Sequence, residues 1–238
     1  SAHTVSAMQC VGRPYPNCGY GGSFYNWMYS SDPKPYGSYG NGAAMRVCGC
    51  ADVVNLGAAK ILSQRVTKIT HNHPEGIKGA LATNDAIYLA RNSFTKEKIK
   101  KHIEDNYRYD LNRKLDDIRP DYKFDVSCKG SVPESIICFL EAEDYDDTIR
   151  NAVSLGGDAD TQAAIAGGIA SAYWDVPSKI AARGIKRLDY NLLEVFLEFR
   201  EKYEKSPVHV IESEYSNIKI TTKEDLLIGE AFLKEEQA

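Results

Sequence analysis

The stretch "LGGDADTQAAIAGGIASAYW" (155–174) places Asp158, Asp160 and Thr161 within four positions, between a Gly-Gly pair and a run of small residues. Such hard oxygen donors, crowded this closely, suit Mg2+, Mn2+ or Ca2+ and argue against zinc. On a helix, positions i and i+2 point about 200° apart, so both carboxylates reach one point only if they precede the helix. Gly156 and Gly157 supply an unrestricted turn, which predicts Asp160 or Thr161 as N-cap of the helix that follows. A cation would neutralise two charges that otherwise repel. A polar loop that only caps a solvent-exposed helix end fits the same spacing, and spacing leaves both readings open.

The helix after the cluster carries Ala163, Ala164, Ala166, Gly167, Gly168, Ala170, Ser171 and Ala172. Glycine inside a helix costs about 1 kcal/mol relative to alanine. That cost is offset where neighbouring helices approach closely, so the pattern predicts an element in the middle of a bundle, with the aspartates at the floor of a cleft.

Other segments supply the bundle. Residues 1–46 are rich in Gly, Tyr, Ser and Pro, which predicts turns and loops rather than long helices. From Val47 the apolar spacing turns helical, with Ile77, Ala80, Leu81, Ile87 and Leu89 forming a stripe. Thr95 reads as the N-cap of Lys96–Asn106, and Pro133 as a helix-start position. Asp144–Leu155 turns Ile149, Ala152 and Val153 inward, and the helix near 189–205 turns Leu192, Val195, Phe196 and Phe199 inward. Strand signals are scarce before Ser206, where the character alters, so the expected organisation is a mainly helical domain over 1–205 and a tail over 206–238.

The bulk composition excludes several classes. The formal net charge is −4 over 238 residues, which weighs against a nucleic-acid partner. No run of eighteen apolar residues exists, so no membrane span is expected. The six cysteines form no Cys-x-x-Cys pair and no zinc-finger spacing with histidine, which points to free thiols and a cytoplasmic protein. The chain begins at Ser1 without an initiator Met, which predicts processing or a lost upstream piece.

"GGDADTQAAIAGGIASAYW" resembles the second aspartate motif of the ADP-ribosylglycohydrolase family, which includes the dinitrogenase reductase-activating glycohydrolases. "SYGNGAAMRV" (38–47) resembles its substrate loop, "THNHPEGIKGA" (70–80) its histidine segment, and "SVPESIICFL" followed by "IRNAVSLGGDADT" keeps its order. The resemblance covers about residues 1–205. It implies an all-α domain, a compact orthogonal bundle, that binds two Mg2+ or Mn2+ ions and removes ADP-ribose from a modified protein side chain or a related small conjugate. By motif position, Asp158, Asp160 and Thr161 are metal ligands and the two aspartates are catalytic. Ser38, Gly40, Asn41 and Gly42 lie against ADP-ribose, and His71 reaches its phosphate or ribose region. A Gly-Asn-Gly loop lets backbone N–H groups approach a diphosphate. Arg46 either pairs with phosphate or sits in a structural ion pair at a helix start.

The chain departs from the family pattern mainly in that the earlier Thr-Asp-Asp-Thr motif is not in this sequence, and to a smaller degree at Asp175, where the family usually ends this helix with Gly. "YDDTI" (145–149) is read as a capping or solvated face, not as that motif. The resemblance therefore leaves three readings: a lost upstream piece, carboxylates from another chain, or a degenerate ADP-ribose-binding or structural member. The tail "PVHVIESEYSNIKITTKEDLLIGEAFL" resembles the C-terminal end of the 2-C-methyl-D-erythritol 4-phosphate cytidylyltransferase family. The nucleotide-binding body of that family is absent, so no cytidylyltransferase activity is expected.

Overall fold

The computed structural model describes residues 2–203. The boundary expected near Ser206, and the tail that resembles a cytidylyltransferase end, lie outside the described residues. The described residues divide into two units, the first ending at Arg187 and the second beginning at Leu188.

The first unit runs α1 (Ala2–Gly12), α2 (Gly22–Tyr29), α3 (Leu56–Thr67), α4 (Pro74–Arg91), α5 (Lys96–Tyr107), α6 (Leu115–Ile118), α7 (Cys128–Glu141), α8 (Tyr145–Ser154), α9 (Ala159–Tyr173) and α10 (Ser178–Ile185). Short 3-10 turns lie at Asn41–Ala43 and Cys48–Ala51. Among the described residues the only β pairing is the isolated bridge of Gly40 with Ser127, so the all-α fold expected from the sequence is the fold observed. No helix among them is long and apolar enough to cross a membrane. The N-terminal segment is less loop-like than its composition predicts. In α2 the apolar side chains Trp27 and Met28 are buried, and with Ile69 they form a small second core.

Helix α4 is the central element, packed on α3, α5, α7 and α9. Its burial is nearly all-round rather than a stripe: Ile77 and Leu81 are half-buried, whereas Thr83, Asn84 and Asp85 are fully buried. Asp85 is held by Tyr107, His102 and Lys60, at 2.6, 2.8 and 3.0 Å. These partners tie α3, α4 and α5 through one carboxylate.

Three helix readings change on the structure. Helix α7 starts at Cys128, capped by Ser127 Oγ, which accepts from Gly130 N, so Pro133 sits inside the helix. Its ring removes one backbone donor there, which α7 tolerates because the cap fixes its start five residues earlier. Val153 is exposed because the buried face of α8 is centred on Thr148, Ala152 and Leu155, and Val153 points well away from it. In the second unit, α11 (Tyr190–Tyr203) leaves Val195 exposed beside half-buried Leu192, Phe196 and Phe199, at the edge of the stripe.

The small-residue helix α9 is packed as its composition predicts. A Cβ built on Gly167 would stand 2.9 Å from Ile149 Cδ1 of α8, and one on Gly168 3.5 Å from Ile87 Cδ1 of α4. The glycines admit helices on two sides. Asp144 caps α8 by accepting from Asp147 N, and Asp147 in turn accepts from Glu143 N, so the "DDT" of this segment is a capping face.

Candidate functional site

The turn before α9 is made by Gly156 and Gly157, with φ of +80° and +68°, a region that favours glycine. Asp158, not Asp160 or Thr161, occupies the N-cap position, and its carboxylate makes no bond to the helix amides. It is turned outward instead: Asn41 Nδ2 donates to Asp158 Oδ2 at 2.6 Å. The substrate-loop motif and the aspartate motif, 117 residues apart in the chain, therefore meet through a charge-assisted hydrogen bond.

Asp160 is exposed and its Oδ1 accepts from Thr161 N at 2.9 Å. Thr161 is buried, and its hydroxyl donates to Met45 Sδ at 3.7 Å. Burial raises the Asp158 carboxyl above the ordinary aspartate range. The Asn41 bond opposes this shift, and the adjacent Asp160 reinforces it.

The 38–42 loop is anchored from behind. Asn41 N donates to Val126 O at 2.7 Å, and Cys128 N to Tyr39 O at 2.9 Å. Gly40 N donates to Ser38 Oγ at 3.2 Å, so the Ser38 hydroxyl braces the turn. Gly76 is required at the start of α4, because a Cβ there would stand 2.7 Å from Ser38 O.

His71 lies under this loop, 5% exposed, with Nε2 3.6 and 3.7 Å from where a Cβ would sit on Gly40 and Gly42. Its Nδ1 is 2.7 Å from Thr70 Oγ1 and 3.4 Å from Arg46 Nη2. An arginine beside Nδ1 requires that nitrogen to be the acceptor, which puts the ring proton on Nε2; the tautomer follows from this network. Burial, and then the Arg46 charge, push the His71 pKa down to about 3, so the ring is neutral.

Arg46 belongs to the support rather than to the open face. Its Nη2 donates to Thr70 Oγ1 at 2.6 Å and to Val66 O at 3.3 Å, near the C-terminus of α3. This is a helix-end contact, not the ion pair that sequence offered as the structural alternative, and burial draws its pKa to about 10.

Ser38, Gly40, Asn41, Gly42 and His71 are thus gathered on one side, with Asp158, Asp160 and Thr161 on the other. Sequence reasoning missed Tyr122 and Gln162, which touch each other behind the aspartates. Tyr122 carries no periodic or motif signal, and Gln162 lies in the aspartate motif only as the residue after the three oxygen donors. Among the described residues no group of three or more His, Cys, Asp or Glu side chains could hold a metal. The donors near one another are two carboxylates and a hydroxyl, since Asp160 and Thr161 both act on the Asp158 carboxyl. All are oxygens, and the mutual influence of Asp158 and Asp160 is the repulsion a hard divalent cation relieves, so they fit part of a Mg2+ or Mn2+ shell.

Compared with known proteins, the chain matches the family described as ADP-ribosylglycohydrolase over residues 7–208. It is 30% identical over 188 residues to ADP-ribosylhydrolase ARH3 of Gallus gallus, across 58% of this chain and 50% of that protein. The match spans half the length of that relative. A solved structure, an ADP-ribosylglycohydrolase-related protein complex, superposes with a TM-score of 0.58 at 21% identity, over 85% of this chain and 71% of that one. This likeness is one of fold.

Proposed function

Because the chain belongs to the ADP-ribosylglycohydrolase family, we propose that it hydrolyses the glycosidic bond between ADP-ribose and a modified protein side chain or small-molecule conjugate. The hydrogen bond from Asn41 to Asp158 carries the proposal, since it joins a loop suited to a diphosphate to a carboxylate pair suited to a ribose.

The roles follow from the contacts. Gly40 and Gly42 put no side chain of their own between the loop backbone and a phosphate, although Gly40 N and Asn41 N already donate to Ser38 Oγ and Val126 O. His71, neutral with its proton on Nε2, offers that proton as a hydrogen bond toward the loop without adding charge. Asn41 orients Asp158, and Arg46 orients His71. Asp158, Asp160 and Thr161 would hold Mg2+ or Mn2+, which supplies Lewis-acid contact to ribose hydroxyls and to water when bound. Asp160, exposed and with Oδ2 not engaged in the Thr161 bond, accepts a proton from the attacking water. The water hydroxyl joins the anomeric carbon, the bond to the leaving group breaks, and the leaving atom takes up the proton.

The test is release of ADP-ribose from arginine- and serine-linked peptides by the whole protein with Mg2+ or Mn2+. Release that EDTA abolishes is the expected result; no release from either linkage with either metal contradicts it. A second reading, binding without hydrolysis, is favoured by the short donor set of two carboxylates and one hydroxyl. It predicts a calorimetric ADP-ribose signal that EDTA hardly alters.

A further inference from the structure

Tyr122 lies in the loop before α7, outside every motif above. Its hydroxyl donates to Gly130 O at 2.8 Å, in the first turn of α7, and accepts from Gln162 Nε2 at 2.5 Å, in the first turn of α9. Gln162 is fully buried and follows Thr161 directly. The Tyr122 ring closes against the glycine turn: a Cβ on Gly157 would stand 2.8 Å from Tyr122 Cε1 and 3.2 Å from Lys123 O. One side chain thus touches α7, α9 and the turn that delivers Asp158.

That turn is held from within by backbone bonds, Gly156 N to Val153 O at 3.2 Å and Gln162 N to Asp158 O at 3.0 Å. Two consecutive glycines of positive φ have wide conformational freedom, and Asp158 makes no capping bond to its own helix. From outside, Asn41 constrains it on one side and Tyr122 on the other. Resting on the hydrolase reading above, we infer that Tyr122 is a positioning residue, which fixes the Gly156–Gly157 turn so that Asp158 meets Asn41 and stands beside Asp160 and Thr161. Burial raises the Tyr122 pKa and the nearby Glu134 charge reinforces it, so the phenol keeps its proton for Gly130 at working pH.

The experiment compares the whole protein with Tyr122→Phe, which keeps the ring and deletes both hydrogen bonds, and Tyr122→Ala, which removes the ring as well. Misplacing reacting groups by about 1 Å can cost on the order of 100-fold. On that scale Tyr122→Phe lowers kcat by roughly 10-fold with KM within about 2-fold, and Tyr122→Ala lowers kcat by roughly 100-fold. In both, amide hydrogen exchange quickens over 155–162 while α4 and α5 keep their protection. Unchanged exchange over 155–162 in Tyr122→Phe overturns the inference, as does faster exchange throughout the chain. If Tyr122→Ala does not fold, Tyr122→Phe carries the test alone. Local quickening over 155–162 alongside a wild type that releases no ADP-ribose leaves Tyr122 as the brace of the turn and removes the hydrolase reading instead.

Discussion

His71 Nδ1 lies 3.4 Å from Arg46 Nη2, a contact that a protonated imidazole would turn into charge repulsion. The neutral ring is therefore a condition of the native structure. The His71 pKa falls to about 3 in the fold against about 6.5 for a free histidine. Between those values the unfolded chain binds a proton that the native chain refuses, so this stability is present above about pH 6.5 and is lost as pH falls toward about 3. The slope amounts to at most about 1.4 kcal/mol per pH unit. Denaturant unfolding at a series of pH values checks it. His71→Gln should flatten the acid limb relative to wild type, and parallel limbs would refute the assignment.

Asn41→Ala removes the donor to Asp158. Hydrogen bonds to charged groups contribute about 1.5–3 kcal/mol, so the expected loss in kcat/KM is roughly 10- to 100-fold. Steady-state assays check it, with circular dichroism to show an intact helical fold. An unchanged kcat/KM would mean that the loop and the aspartates act independently.

The cysteines divide by burial. Cys10, Cys18 and Cys48 are exposed, whereas Cys50, Cys128 and Cys138 are buried. Burial pushes the last three up to about 11, 12 and 12, leaving them as unreactive thiols. Intact-mass analysis after brief alkylation at pH 7.5 should show three additions to the native protein and six after denaturation.

Gly79→Ala sets two effects against each other. Alanine gains about 1 kcal/mol in helix propensity, but its Cβ would stand 2.6 Å from both Cβ and Sγ of Cys128. Overpacking of a tight contact costs about 1–3 kcal/mol, and here the obstacle includes a Cβ bonded to the α7 backbone. Urea unfolding should show net destabilisation; a stabilised variant would mean that α4 and α7 separate easily.

How far the sequence could be read depended on whether the controlling contacts were local. The glycine turn and the donors after it lie within six residues, so their types and spacing were enough to bring them out. The small residues of α9 report close packing without saying which helices approach; Ile149 and Ile87 do so only in three dimensions. Arg46 was ambiguous because its partners, the end of α3 and Thr70, lie some twenty residues away. Pro133 misled because a start signal outweighed the serine cap six residues earlier. Asp158 stands at the N-cap without a capping bond because Asn41, far off in the chain, draws its carboxylate away from the helix amides. Thr83, Asn84 and Asp85 break the expected apolar face of α4, since Asp85 finds Lys60, His102 and Tyr107 in the interior.

On the hydrolase reading, a divalent cation and a sugar diphosphate share the space between the Asn41 loop and the start of α9. Crystals of the whole protein soaked with Mn2+ and ADP-ribose test this by anomalous scattering. The expected result is a Mn2+ peak bounded by Asp158, Asp160 and Thr161, with the diphosphate along Gly40–Gly42 and within hydrogen-bond reach of His71 Nε2. A diphosphate bound elsewhere, or Asp158 still bonded only to Asn41 with no peak beside it at saturating Mn2+, would contradict it.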